Sequence, residues 1–125
     1  MREISLNSSE RTILECLWEN SPRTMIEIWH ALEAKTGWTK STANTLIGRM
    51  AAKGLLTVEE GRKAKLYSPA ILREEAAVAE TQSLLRRAYN GSLSLMLSTL
   101  VKSEALSRED ISELQKILEK AEKSV

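Results

Sequence analysis

Apolar residues recur at helical spacing from Ile13 to Met50, and beyond Gly54 that spacing is lost. No other feature of the chain restricts its fold as much. Asn7-Ser8-Ser9-Glu10 reads as a helix cap with an acidic residue three positions on. Ile13, Leu14, Leu17 and Trp18 then make one apolar face, and Asn20-Ser21-Pro22 ends the segment. Thr24-Met25-Ile26-Glu27 is a second capping box, followed by Met25, Ile28, Trp29 and Leu32 at i, i+3, i+4 and i+7. Gly37 closes that helix. A third helix is expected from Thr39 or Lys40, with Ala43, Leu46, Ile47 and Met50 inward and Gly54 as its C-terminal cap.

The period then changes to that of strands. Leu55-Leu56-Thr57-Val58 and Ala64-Lys65-Leu66-Tyr67 are short runs separated by Glu59-Glu60-Gly61-Arg62-Lys63. Gly61 is expected to supply the permissive backbone of a hairpin tip, and Pro69 to close the second strand. Three helices followed by a basic-tipped hairpin is the order of a winged helix-turn-helix. The remainder reads as helical, with Leu72 to Tyr89 broken by Asn90-Gly91 and a last helix capped by Ser107-Arg108-Glu109-Asp110. The expected fold is therefore mainly α with a small β-hairpin. It comprises a DNA-binding winged helix over residues 1–69 and a helical dimerisation segment over residues 70–125, divided at Pro69-Ala70.

The net charge of +1 conceals an uneven distribution. Residues 1–35 carry four basic and six acidic side chains, and residues 70–125 carry eight and nine. Residues 36–69 carry Lys40, Arg49, Lys53, Arg62, Lys63 and Lys65 against Glu59 and Glu60 alone. Such local asymmetry is the footprint of a phosphate-binding surface. The third helix supports this reading. At about 100° per residue, Ser41, Thr45, Gly48 and Ala52 fall opposite its apolar face, with Thr42, Asn44 and Arg49 on the flanks. Small residues permit close approach to a duplex. Asn suits adenine, Arg suits guanine, and Ser and Thr make shorter contacts. No acidic residue lies between Trp38 and Val58. The candidate DNA-binding residues are thus Lys40, Ser41, Thr42, Asn44, Thr45, Arg49 and Lys53, with Arg62, Lys63 and Lys65 at the hairpin tip.

The C-terminal helices bury little surface on their own. Leu93, Met96, Leu97, Leu100 and Val101 form a wide apolar stripe, and Ile111, Leu114, Leu118 and Ala121 form another. Both are expected to pack against a second copy, because a two-fold dimer sets two recognition helices on one duplex.

The run from Gly37 to Met50, then Lys53-Gly54-Leu55, resembles the recognition-helix signature of the penicillinase-repressor family of BlaI, MecI and CopY. Gly61 to Pro69 is similar to its wing, and Leu106 to Leu114 to its final dimerisation helix. The resemblance implies a homodimeric repressor of palindromic double-stranded operators. In the penicillinase branch it implies release by a membrane sensor-protease that cleaves the dimerisation segment. The family's cleaved bond is an Asn-Phe pair, whose counterpart here is Thr99-Leu100. The copper branch carries C-terminal Cys-x-Cys motifs that are absent here, which argues against copper sensing by that route.

Other classes fare worse. Cys16 is the only cysteine, so an internal disulfide and a Cys-rich metal site are excluded. His30 is the only histidine and reads as a surface residue rather than a base. No glycine-rich phosphate loop, metal cluster or nucleophile-base pair is present, so no catalytic residue, metal or cofactor is expected. Met1 to Ser5 lacks the apolar core of a secretory signal and no run is long enough to insert in a membrane, so a cytoplasmic address is expected. Two rivals remain. One is a ligand-sensing winged-helix repressor with Trp38, Tyr67 and Tyr89 lining a pocket, and the other is a winged-helix protein-interaction module without DNA.

Overall fold

The computed structural model describes residues 4–124, so Met1–Glu3, part of the stretch read for a secretory signal, lie outside it. Eight elements follow in order: α1 (Ser8–Glu19), α2 (Met25–Thr36), α3 (Lys40–Ala52), β1 (Leu56–Glu60), β2 (Lys65–Pro69), α4 (Arg73–Tyr89), α5 (Leu93–Lys102) and α6 (Arg108–Ser124). They form two compact units, one to Thr81 and one from Gln82.

Each of the first three helices starts where a side chain satisfies its first free N–H groups. Asn7 accepts from the Glu10 N–H at 2.8 Å, and the Glu10 carboxylate accepts from the Asn7 N–H at 3.0 Å. Thr24 and Glu27 repeat that box at α2. Thr39 caps α3 by accepting from the Thr42 N–H at 3.1 Å. Gly37 ends α2 in the left-handed region at φ 73°. At the end of α3 the Gly54 N–H donates to Ala51 and the Leu55 N–H to Met50, a Schellman closure with Gly54 at φ 80°. Ile13, Leu14, Leu17, Ile28 and Ile47 are fully buried at the centre of the unit.

The hairpin is a winged-helix wing. β1 and β2 pair antiparallel from Leu56 opposite Pro69 to Glu60 opposite Lys65. Arg23 adds a short third rung, exchanging two backbone hydrogen bonds with Tyr67 at 3.1 and 2.8 Å. The strands extend further than apolar alternation indicates, because Glu59 and Glu60 are exposed and paired through their backbones. Gly61 is needed for a different reason from the one expected. It does not have positive φ; a Cβ there would sit 2.3 Å from the Ala64 carbonyl oxygen, to which the Gly61 N–H donates at 3.1 Å.

The boundary expected at Pro69-Ala70 falls inside the first unit. Ile71 and Ala76 are core residues, and the Trp18 indole N–H donates to the Ile71 carbonyl at 2.9 Å. Arg73 lies over the Trp18 ring and pairs with Glu15 at 2.7 Å, while Arg11 pairs with Glu80. These contacts bind the first half of α4 to α1.

In the second unit Asn90 and Gly91 take positive φ between α4 and α5. Ser107 and Asp110 cap α6 reciprocally, each bond 3.0 Å. None of its described residues is buried, and Leu93, Val101, Ile111 and Leu118 are 52%, 56%, 41% and 58% exposed. Among the described residues, no helix is long and apolar enough to cross a membrane.

Candidate nucleic-acid interface

Burial divides α3 into two faces. Ala43, Ile47 and Met50 are 1%, 0% and 1% exposed and Leu46 is half-buried, all directed into the core. Lys40, Ser41, Thr42, Asn44, Thr45, Gly48 and Arg49 are exposed. A Cβ added at Gly48 would meet nothing within 4 Å, so no intramolecular contact requires glycine there. The approach to this helix is fixed from α2, where the Trp29 indole donates to the Trp38 carbonyl at 2.9 Å. Trp38 and Tyr67 pack against the core, and Tyr89 is half-buried in the second unit.

The structure gives the basic candidates different freedom. Lys40, Arg49, Arg62, Lys63 and Lys65 are exposed, and none has an ion-pair partner among the described residues. Arg62 and Lys63 occupy the turn between the strands, and Lys65 opens β2 opposite Glu60. Lys53 is held instead. Its ammonium lies 2.6 Å from the Glu10 carboxylate; the Lys53 side chain is 57% exposed and that of Glu10 6%. Burial alone would raise the Glu10 carboxyl, but the Lys53 ammonium and the Asn7 N–H outweigh it and hold the group below its ordinary value. Thr42 also spends a hydroxyl contact locally, with Thr39 at 3.0 Å. The Glu10–Lys53 pair has no sequence signal, since 43 positions separate its members.

Among the described residues, His30 has Trp29 and Glu33 as its neighbours. Its exposed ring lies 4.8 Å from that of Trp29, and Nδ1 is 3.8 Å from Glu33. Cys16 is buried, and burial pushes its thiol up despite Arg23 nearby, so it stays protonated near neutrality. Among the described residues, no group of His, Cys, Asp and Glu is arranged to hold a metal.

The penicillinase repressor family model matches residues 6–120, which takes in the capped helices, the wing and most of the C-terminal helices. The chain belongs to the penicillinase repressor family. Within it, the penicillinase repressor of Bacillus licheniformis is 28% identical over 114 residues, covering 91% of this chain and 89% of that protein. The methicillin resistance regulatory protein MecI of Staphylococcus aureus is 23% identical over 115 residues, covering 92% and 94%. The fold is shared with the solution structure of monomeric Bacillus licheniformis BlaI in complex with the blaP half-operator. That match has a TM-score of 0.52 at 20% identity and covers 59% of this chain and 90% of that one. The penicillinase repressor winged helix is thus present here.

The expected Thr99-Leu100 counterpart of the family's cleaved bond lies within α5. The Thr99 hydroxyl donates to the Leu95 carbonyl at 2.8 Å, and the Thr99 carbonyl accepts from the Ser103 N–H at 3.0 Å.

Proposed function

We propose that this protein is a sequence-specific DNA-binding transcriptional repressor that acts as a homodimer on palindromic operators. The exposed, acid-free face of α3, flanked by cations without ion-pair partners among the described residues, carries the reading. A helix in the major groove must offer short polar side chains to base edges and keep anions away from phosphates. Ser41, Asn44, Thr45 and Arg49 supply the base-directed groups. Lys40, Arg62, Lys63 and Lys65 are placed for phosphates, setting affinity and register rather than sequence choice. The fold shared with BlaI bound to the blaP half-operator supports DNA as the partner.

The uncovered apolar side chains of α5 and α6 support self-association. Leu93, Met96, Leu97, Leu100 and Val101, with Ile111, Leu114 and Leu118, form the proposed contact with a second copy. A palindrome requires this, because each half-site takes one winged helix and the two-fold axis relates them. Release of the operator then follows from loss of the dimer. Cleavage at Thr99-Leu100 by a membrane sensor-protease would separate α6 from most of α5, after local unwinding of a helical bond.

Fluorescence anisotropy on the DNA upstream of the protein's own gene and on a scrambled duplex of equal length, across a salt series, tests the reading. Preferential binding to the upstream duplex with a steep salt dependence supports it. Failure to bind either duplex at low salt refutes it.

A further inference from the structure

Glu10 is the buried charged residue among those described, 4% exposed, and both of its carboxylate oxygens are engaged. Oε1 accepts from the Asn7 N–H at 3.0 Å and closes the capping box of α1. Oε2 accepts from the Lys53 ammonium at 2.6 Å. The carboxylate therefore cannot follow Lys53 outward without uncapping α1. Lys53 is itself the C-cap of α3, still in right-handed helical geometry, and its N–H donates to the Arg49 carbonyl at 3.0 Å. The pair thus joins the first turn of α1 to the end of α3, beside the closure made by Gly54 and Leu55.

A cation in this position has two competing uses. It can neutralise a DNA phosphate, or it can neutralise the buried Glu10 carboxylate while its own side chain stays exposed. Leaving the buried Glu10 charge without its partner is costly, whereas a phosphate left by Lys53 keeps water and counterions around it. The pairing with Glu10 prevails. We propose that Glu10 is a positioning residue of the DNA reader: it holds the Lys53 ammonium against its own carboxylate, removes that cation from the phosphate-binding set and anchors the C-terminal end of α3. This rests on the proposed role of α3 in facing DNA. Lys53 belongs to the basic cluster by sequence but not by function.

The salt dependence of binding separates the two uses, because each lysine on a phosphate adds about 0.9 to the slope of log affinity against log salt. The probe is the scrambled duplex, titrated with wild-type protein, K53M, E10Q, the double variant and K63M as a control. K53M is expected to keep the wild-type slope, while K63M becomes shallower by about 0.9 per chain. E10Q frees Lys53 and steepens the slope by the same amount, an extra loss of affinity of about 3.5-fold per chain between 50 and 200 mM salt. Adding K53M to E10Q restores the wild-type slope, an outcome that a merely structural role for Glu10 does not produce. A shallower slope for K53M, or no change for E10Q while K63M responds, overturns the proposal and leaves the DNA reading intact. If no protein binds at low salt, the DNA reading fails and the proposal fails with it. Should E10Q not fold, K53M alone decides, since a phosphate contact and a contact with Glu10 predict different slopes for it.

Discussion

The indole N–H of Trp29 donates to the carbonyl of Trp38 at 2.9 Å, tying the middle of α2 to the residue immediately before the cap of α3. Both side chains are half-buried. One hydrogen bond therefore ties α2 to the path by which the chain enters α3. Trp29→Phe keeps most of the apolar contact and removes the donor. It is expected to cost about 1–2 kcal/mol of stability, measured by denaturant unfolding. Affinity for the upstream duplex should fall more than affinity for the scrambled one, because base contacts depend on how the helix is aimed.

Gly48 and Gly61 should respond in opposite ways to alanine. Gly48 lies in mid-helix with open space around its Cβ position, so Gly48→Ala is expected to stabilise the protein by about 0.5–1 kcal/mol. Gly61→Ala brings a Cβ against the Ala64 backbone oxygen and must distort the wing turn. Thermal melts of the two variants should move in opposite directions from wild type.

Arg49 and Lys63 should separate base reading from phosphate binding. Arg49→Ala is expected to cost about 1–3 kcal/mol on the upstream duplex and much less on the scrambled one. Lys63→Ala should weaken both alike. Equal losses for Arg49→Ala on the two duplexes would make it a phosphate contact.

Acid should destabilise the fold in part through Glu10. Its carboxyl is held below the ordinary 4.5, so its contribution is complete above about that pH and is lost as pH falls through the lower folded value. Glu27 is lowered as well, chiefly by the Thr24 backbone N–H, and acts in the same direction. Unfolding titrations from pH 6 downward should therefore show a shallower loss of stability for Glu10→Gln than for wild type, from a lower starting point.

Leu118 is 58% exposed, so a charged residue there breaks no packing inside the chain. Leu118→Lys is expected to leave the first unit folded and to convert a dimer into a monomer by sedimentation equilibrium. Binding to the upstream duplex should weaken with it. A variant that remains dimeric would place the self-contact away from this face of α6.

Much of this architecture is legible locally. Asn7 with Glu10, Thr24 with Glu27, and Ser107 with Asp110 mark helix starts because a cap and its partner lie three residues apart. The spacing of Ala43, Ile47 and Met50 separates the inner from the outer face of α3 for the same reason, since a helix repeats within one or two turns. Gly37 and Gly54 could be read as caps because both end periodic segments.

What only the tertiary structure decided are relationships between residues distant in sequence. Lys53 looks like one more cation until Glu10 is brought within 2.6 Å of it. Gly61 looks like a residue needed for its backbone angle until the Ala64 carbonyl is found in the space a Cβ would fill. Ile71 and Ala76 follow the boundary expected at Pro69-Ala70, yet they belong to the core of the first unit, where the Trp18 indole bonds to the Ile71 carbonyl. Helix caps and apolar faces are set by neighbours within a few residues, so the sequence by itself determined them. Pairing of a buried charge, close approach of two backbones and the extent of a core depend on which segments pack together, and the chain order does not encode that distance locally.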